Sequence, residues 1–185
     1  MHALIREKTR ILRPCEYKKL HNAVPKKDYK TMLNALLHSG MRYVEMQRFQ
    51  KNPEWFDGEF IHLPQEAIYK QKRKQAERDI ILNPLGKNVI SYFVDIKTKL
   101  PCWQTWKENL RRWALMGGIN PVGIGVKTTR KTWESWLLAC YPNRITEITL
   151  SQGHTTVTSI KHYLNVAFTR EDKRDMKDYI EGWIE

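Results

Sequence analysis

The chain of 185 residues has little of what builds disulfide-rich, fibrous or membrane proteins. It contains three widely spaced cysteines (Cys15, Cys102 and Cys140) and no C-x-x-C pair, which argues against a disulfide framework or a cysteine-built metal site. Nine glycines and eight prolines are too few for a disordered or fibrous chain. No apolar run approaches the roughly 18 residues of a membrane span, and no apolar signal core follows Met1. We therefore expect a soluble intracellular protein without a membrane partner.

Several enzyme motifs are also missing. The sequence has no G-x-x-x-x-G-K-[ST] loop, no G-x-G-x-x-G after a strand and no H-E-x-x-H, and a G-x-S-x-G elbow does not occur either. A nucleotide-driven enzyme, a metal hydrolase and a serine hydrolase are therefore not indicated. We expect neither a cofactor nor a metal ion.

What the chain has in excess is positive charge. It carries 32 Lys and Arg residues against 20 Asp and Glu, a net charge of +12. Such an excess favours an anionic partner, and nucleic acid is the commonest one because phosphate neutralisation releases condensed counterions. The basic residues are spread over several segments, which disfavours a membrane-binding helix. A merely basic globular protein remains the alternative.

Periodicity and breakers predict a single domain over residues 1–185, in the α+β class and mainly α, with one small antiparallel sheet. Five tryptophans lie at helical spacing and are expected to be core residues and not platforms on which DNA bases stack. They are Trp103, Trp106, Trp113, Trp133 and Trp136. Helices are predicted over 14–24, 27–38, 42–52, 86–98, 103–116, 127–140, 144–150, 155–165 and 169–183. Strands are predicted over 59–63, 67–72 and 78–82, the last two joined by a charged turn.

Two pairs of charged residues have spacings that bear on function. Arg42 and Glu45 follow the Ser39-Gly40 helix stop and lie three residues apart, which brings them together on a helix; alone, they are typical of a surface ion pair. Lys127 and Arg130 place two cations one turn apart after a glycine-rich loop. An anion between these two cations would relieve their repulsion, and a solvated helix face is the alternative.

Four blocks occur in a fixed order: L-L-x-S-G-x-R-x-x-E, a lysine-bearing hairpin, K-x-x-R at a helix start, and G-H followed nine residues later by Y. In this order they resemble the catalytic domain of the tyrosine recombinase (phage integrase) superfamily, over nearly the whole chain. Most members have His where Lys127 stands, and this lysine resembles the variant in integrases of archaeal viruses. Helical periodicity alone does not bring His154 and Tyr163 together, and Tyr163 could instead be a core residue.

The resemblance implies a helical fold with a small β-hairpin and a set of catalytic groups. Tyr163 would attack a DNA phosphorus to form a 3′-phosphotyrosyl intermediate, while Glu45 supports the first arginine. A hairpin lysine, Lys72 or else Lys74, would protonate the leaving 5′-oxygen. The implied catalytic side chains are Arg42, Lys72, Lys127, Arg130, His154 and Tyr163.

The resemblance also implies partners. The expected substrate is double-stranded DNA with attachment-type sites, bound by a homotetramer that is a monomer or weak oligomer when free, in the host cytoplasm or nucleoid. The family's N-terminal DNA-clamping domain is expected to be absent from this chain. Basic pairs such as Lys18-Lys19, Lys26-Lys27 and Arg111-Arg112, with the stretch at 70–74, would hold duplex backbone. The C-terminal helix is expected to pack on a neighbouring subunit or on its own core.

Two other functions remain open at this point. A type IB topoisomerase shares the tyrosine chemistry and would relax supercoils as a monomer. A catalytically inactive DNA-binding module could retain the fold, and the Lys127 substitution is the feature in its favour. The compact spacing from Gly153-His154 to Tyr163 favours the recombinase.

Overall fold

The computed structural model describes residues 2–67, 77–153 and 166–184. Within these ranges the chain is mainly helical with two small antiparallel sheets, which confirms the α+β, mainly α, class. The strands are β1 (Leu4–Arg6), β2 (Thr9–Ile11), β3 (Phe60–Leu63) and β4 (Arg78–Ile81). The helices are α1 (Pro14–Ala23), α2 (Lys27–Ser39), α3 (Tyr43–Phe49), α4 (Pro84–Asp95), α5 (Trp103–Met116), α6 (Thr128–Cys140), α7 (Ile145–Gln152) and α8 (Arg170–Ile180).

Local signals account for where the helices begin and end. Helix α2 ends at Gly40, whose φ of +59° is a left-handed conformation that glycine adopts without steric cost. Helix α4 begins with Pro84 in its first turn after Asn83, whose side chain accepts a hydrogen bond from the backbone N–H of Gly86 at 2.9 Å. The predicted helices in the described ranges are confirmed to within a few residues. The helix predicted over 155–165 lies outside the described residues.

The second sheet is formed by two of the three predicted strands. Strand β3 pairs directly with β4, with Phe60 opposite Ile81 and Leu63 opposite Arg78. The sequence also predicts a third strand over 67–72, joined to the strand at 78–82 by a charged turn. That strand is wrong at Ala67, because Pro64 ends β3 and Gln65–Ala67 forms a 3-10 turn. Residues 68–72 lie outside the described ranges.

An N-terminal hairpin was not predicted. Strands β1 and β2 pair with Leu4 opposite Ile11, and the turn between them places Glu7 and Lys8 at φ values of +46° and +61°. Such turns usually carry Asn-Gly or Asp-Gly, so Glu-Lys provides no turn signal. The chain after β2 is tied to α6, since the Leu12 N–H donates to Thr132 Oγ1 at 3.0 Å.

Helix α6 runs through the centre of the molecule. Every residue from Thr128 to Leu138 is buried, and α2, β2 and α8 pack against it. Of the five tryptophans considered in the sequence, only Trp103 is exposed, with 54% of its surface accessible. The other four are fully buried, so the core interpretation is confirmed for Trp106, Trp113, Trp133 and Trp136.

Helix α8 packs on the chain's own core. Met176, Ile180 and Trp183 are buried, and Asp172 pairs with Arg13 at the start of α1. Packing against the same chain is therefore what the structure shows for this helix. Across the three described ranges, none of the helices combines the length and the apolar character needed to span a bilayer.

Candidate active site

Arg42 and Glu45 form a tight pair at the start of α3. Arg42 is the residue preceding the first turn of the helix, with extended backbone, and its guanidinium Nη1 lies 2.6 Å from Glu45 Oε1. The backbone N–H of Arg42 donates to the other carboxylate oxygen, Oε2, at 2.9 Å. Glu45 is completely buried, whereas 21% of the Arg42 side chain is exposed. The interpretation as an ordinary surface pair is therefore wrong.

A second guanidinium binds the same carboxylate. Arg78 Nη2 lies 2.8 Å from Glu45 Oε2, and Arg78 Nε donates to the Ser151 carbonyl at 3.1 Å. Arg78 was predicted only as the start of a strand. A signal existed, because in a strand Arg78 shares its face with Ile80 and Leu82, and both are buried. A charged residue at the end of a buried face predicts an internal ion pair.

The charge state of Glu45 follows from these neighbours. Burial alone would raise the pKa of the carboxyl, because an isolated charge is poorly solvated inside a protein. The charges of Arg78, Arg130 and Arg42 outweigh this effect and lower the pKa of Glu45 to about 2. Glu45 is therefore a carboxylate at neutral pH.

Arg130 joins the site from α6. Its Nη1 donates to the Gly40 carbonyl at 2.7 Å, and its Nη2 donates to the Gln152 carbonyl. One guanidinium thus connects the end of α2 to the end of α7. Burial and the nearby charge of Arg42 lower the pKa of Arg130 to about 10, so the group stays charged at neutral pH.

Two glycines allow these segments to approach closely. A Cβ at Gly40 would overlap the side-chain amide of Gln152, and a Cβ at Gly153 would lie 3.0 Å from the guanidinium carbon of Arg78. Gly153 also has a positive φ of +62°, and its carbonyl lies 3.5 Å from Arg42 Nη2. Arg42 and Arg130 therefore donate to the carbonyls of consecutive residues, Gly153 and Gln152.

The cluster contains more positive than negative groups. Among the described side chains, Arg42 and Arg78 contact the carboxylate of Glu45, the charge of Arg130 also acts on it, and Glu134 acts on Arg130. Lys127, which directly precedes α6, is exposed. Burial is the largest cause of the lowered pKa of Arg130, and the charges of Arg42 and Arg78 lower it further. A bound anion would offset the repulsion between these cations, and a phosphate diester has the matching charge and acceptor oxygens.

The structure brings together three of the predicted site residues, Arg42, Glu45 and Arg130, and places Lys127 at the N-terminal end of the helix that carries Arg130. Gly153, the last residue of the second described range, is the sequence neighbour of His154. The remaining predicted residues lie outside the described ranges: Lys72, Lys74, His154 and Tyr163. In the ranges that are described, no three His, Cys, Asp or Glu side chains are grouped to hold a metal ion.

Neither the protein-family models, nor the curated proteins, nor the solved structures contain a match to this chain.

Proposed function

We propose that this protein is a site-specific DNA recombinase of the tyrosine recombinase type, which cleaves and rejoins DNA strands through a 3′-phosphotyrosyl intermediate on Tyr163. One observation carries the proposal. Arg42 and Arg130, which are remote in sequence, meet over the carbonyls of Gln152 and Gly153, directly before His154 in the chain. Arg42, Glu45 and Arg130, which belong to two of the four blocks, lie in one cluster beside Gly153, and this supports the proposal.

The arginine pair suits phosphoryl transfer. In the transition state negative charge builds up on the non-bridging oxygens of the phosphodiester, and guanidinium groups stabilise it through paired, permanently charged donors. Arg130 is oriented by two backbone carbonyls and Arg42 by Glu45, so both are positioned before substrate binds. Such preorganised donors are typically worth a factor of about 10² to 10³ in rate each.

The proposed step conserves bond energy. The Tyr163 hydroxyl loses its proton to water and its oxygen attacks phosphorus, while the bond from phosphorus to the 5′-oxygen breaks and the 5′-oxygen receives a proton from Lys72 or Lys74. His154 donates a hydrogen bond to a non-bridging oxygen, and Lys127 favours the phenolate of Tyr163 through its charge. Attack by a 5′-hydroxyl on the phosphotyrosine reverses the reaction and rejoins a strand.

The charge distribution supports a duplex DNA substrate. With a net charge of +12, the chain carries exposed basic pairs on or next to its helices, which would bind phosphates without reading bases. Assembly as a tetramer on attachment-type sites, inside the host of an archaeal virus, belongs to the same proposal. The exposed pairs are Lys18-Lys19, Lys26-Lys27 and Arg111-Arg112.

Covalent capture tests the proposal without knowledge of the target site. The protein is incubated with nicked duplexes of randomised sequence, and DNA that stays attached after SDS treatment is recovered and sequenced. We expect an adduct through the 3′-phosphate with the wild type and none with Tyr163→Phe, which lacks the attacking oxygen. Absence of any adduct, or an equal yield with Tyr163→Phe, would refute the assignment.

Two further arms separate the alternatives. Adduct yield is expected to be unchanged by a chelator, because the proposed groups are all side chains; a strict divalent-metal requirement would contradict the mechanism. Efficient relaxation of a supercoiled plasmid by monomeric protein, without exchange between two duplexes, would identify a topoisomerase. Duplex binding without an adduct would identify an inactive binding module.

A further inference from the structure

Arg78 occupies a central position that the four-block pattern does not include. Only 7% of its side chain is exposed, and it contacts two of the segments that form the site. Its Nη2 binds Glu45 at the start of α3, and its Nε binds the Ser151 carbonyl near the end of α7. Its guanidinium also lies against Gly153. Arg78 thus links β4 to both sides of the arginine pair.

The shared carboxylate gives Arg78 an electrostatic effect on Arg42. Glu45 Oε1 binds the Arg42 guanidinium, while Oε2 binds Arg78 and the Arg42 backbone N–H. Without Arg78, the buried negative charge would act on Arg130 and Arg42 alone and would weaken their attraction for a phosphate. With Arg78 present, the carboxylate orients Arg42 while its charge is divided among three cations.

The backbone contact adds a geometric effect. Arg78 holds the carbonyl of Ser151, and the carbonyls of the next two residues, Gln152 and Gly153, accept from Arg130 and Arg42. Holding Ser151 therefore helps to hold the two carbonyls to which the Arg130 and Arg42 guanidinium groups donate. Misplacement of reacting groups by about 1 Å can cost about 10²-fold in rate.

We propose that Arg78 is a positioning residue for strand cleavage: it orients Arg42 and Arg130 through Glu45 and Ser151, and offsets the charge of Glu45 so that Arg42 keeps its attraction for the phosphate. This inference rests on the proposed function. Arg78 need not touch the DNA for this role.

A double-mutant cycle tests the charge effect. The rate of adduct formation is measured for the wild type, Arg78→Gln, Glu45→Gln and the double variant. We expect Arg78→Gln to lower the rate about 10²-fold. Adding Glu45→Gln removes the carboxylate charge that Arg78 no longer offsets, so the double variant should be about tenfold faster than Arg78→Gln alone. A double variant as slow as Arg78→Gln, or slower, would overturn the charge effect.

A second measurement does not depend on DNA cleavage. The pKa of Glu45 lies below its ordinary value, so its pairing contributes stability above about pH 4.5, and this contribution is lost as the pH falls through about 2. Without Arg78, less positive charge counteracts the effect of burial, so the pKa of Glu45 rises. The difference in unfolding free energy between wild type and Arg78→Gln should therefore shrink as the pH is lowered from about 6 to about 2.

Matched variants make these outcomes distinguishable. Ile80→Val changes packing on the same face of β4 and should give a stability difference that is constant with pH. Arg13→Gln breaks the buried pair with Asp172 and should leave the cleavage rate unchanged at temperatures where the variant is folded. If the wild type forms no adduct, the proposed function fails while the pH measurement still reports on the coupling of Arg78 to Glu45. If the adduct forms and the stability difference of Arg78→Gln is constant with pH, the positioning role is overturned.

Discussion

At the scale of single residues, the site depends on what a guanidinium can do and an ammonium cannot. Arg130 donates to the carbonyls of Gly40 and Gln152 with two different nitrogens. These two residues are 90 and 22 positions away from Arg130 in the sequence. A planar group with several fixed donors can make both bonds at once, whereas a lysine provides one flexible point charge. The residue type at position 130 is thus set by geometry as well as by charge.

Replacing Arg130 with lysine tests this distinction. We expect Arg130→Lys to lower the rate of adduct formation by a factor on the order of 10² to 10³, because the charge is kept while the paired donors are removed. Single-turnover kinetics on a captured duplex measures the effect. Lys131→Arg, at the next position of α6, is the control and should leave the rate within about twofold. Equal reductions for both variants would indicate general damage to α6.

Some residue-level features were predictable and others were not. Arg42 and Glu45 are three residues apart, so local geometry alone brings them into contact. Arg78 is 33 residues from Glu45, and no local rule joins them. Only the alternation of β4 indicated that Arg78 lies on a buried face.

At the scale of secondary structure elements, capping residues and helix breakers determine where the helices begin and end. The cap of α4, Asn83, also connects this helix to the end of α8. The Asn83 side chain accepts from the Gly86 N–H and donates to the carbonyls of Tyr179 and Glu181 at 2.7 and 3.1 Å. It therefore starts α4 and satisfies carbonyls at the end of α8. This places the C-terminal helix against the chain's own core.

Removal of this side chain should destabilise the fold. We expect Asn83→Ala to lower the free energy of unfolding by about 2–3 kcal/mol, because the helix cap is removed and two carbonyls are left unpaired. Urea denaturation measures the change. Asn88→Ala, at an exposed position of the same helix, should change stability by less than about 0.5 kcal/mol. Similar values for the two variants would contradict the linking role of Asn83.

At the scale of the whole molecule, the dominant property is the charge of +12. Two arginines serve the fold and add nothing to this excess, because Arg10 and Arg13 are buried and paired with Glu16 and Asp172. The exposed pair Arg111-Arg112 on α5 is available to an anionic partner. Arginines that contact DNA phosphates make binding depend on salt concentration, whereas arginines paired inside the protein do not. The salt dependence of binding therefore distinguishes the two groups.

The salt dependence of duplex binding gives the matching prediction. The slope of log K against log salt should become shallower by about 0.9 for each DNA phosphate that the protein no longer neutralises. We expect Arg111→Gln with Arg112→Gln to reduce the slope by about 1 to 2, measured by fluorescence anisotropy on a duplex of arbitrary sequence. Arg174→Gln, on α8 beside Glu171 and Asp175, should leave it unchanged. An equal effect of all three substitutions would mean that only net charge matters.

The sequence by itself determined the helix positions, the mainly α class and the local pairing of Arg42 with Glu45, because periodicity, capping and short spacings act within a few residues. It did not reveal the β1–β2 hairpin, whose Glu7-Lys8 turn lacks the usual residues, or the pairing of β3 with β4. Only the tertiary structure decided that Arg78 shares the Glu45 carboxylate and that Arg130 bridges Gly40 and Gln152. These residues are 22 to 90 positions apart in the sequence, and they meet only because whole helices and strands pack together. Rules that act over a few residues cannot predict which cations this packing places beside one carboxylate.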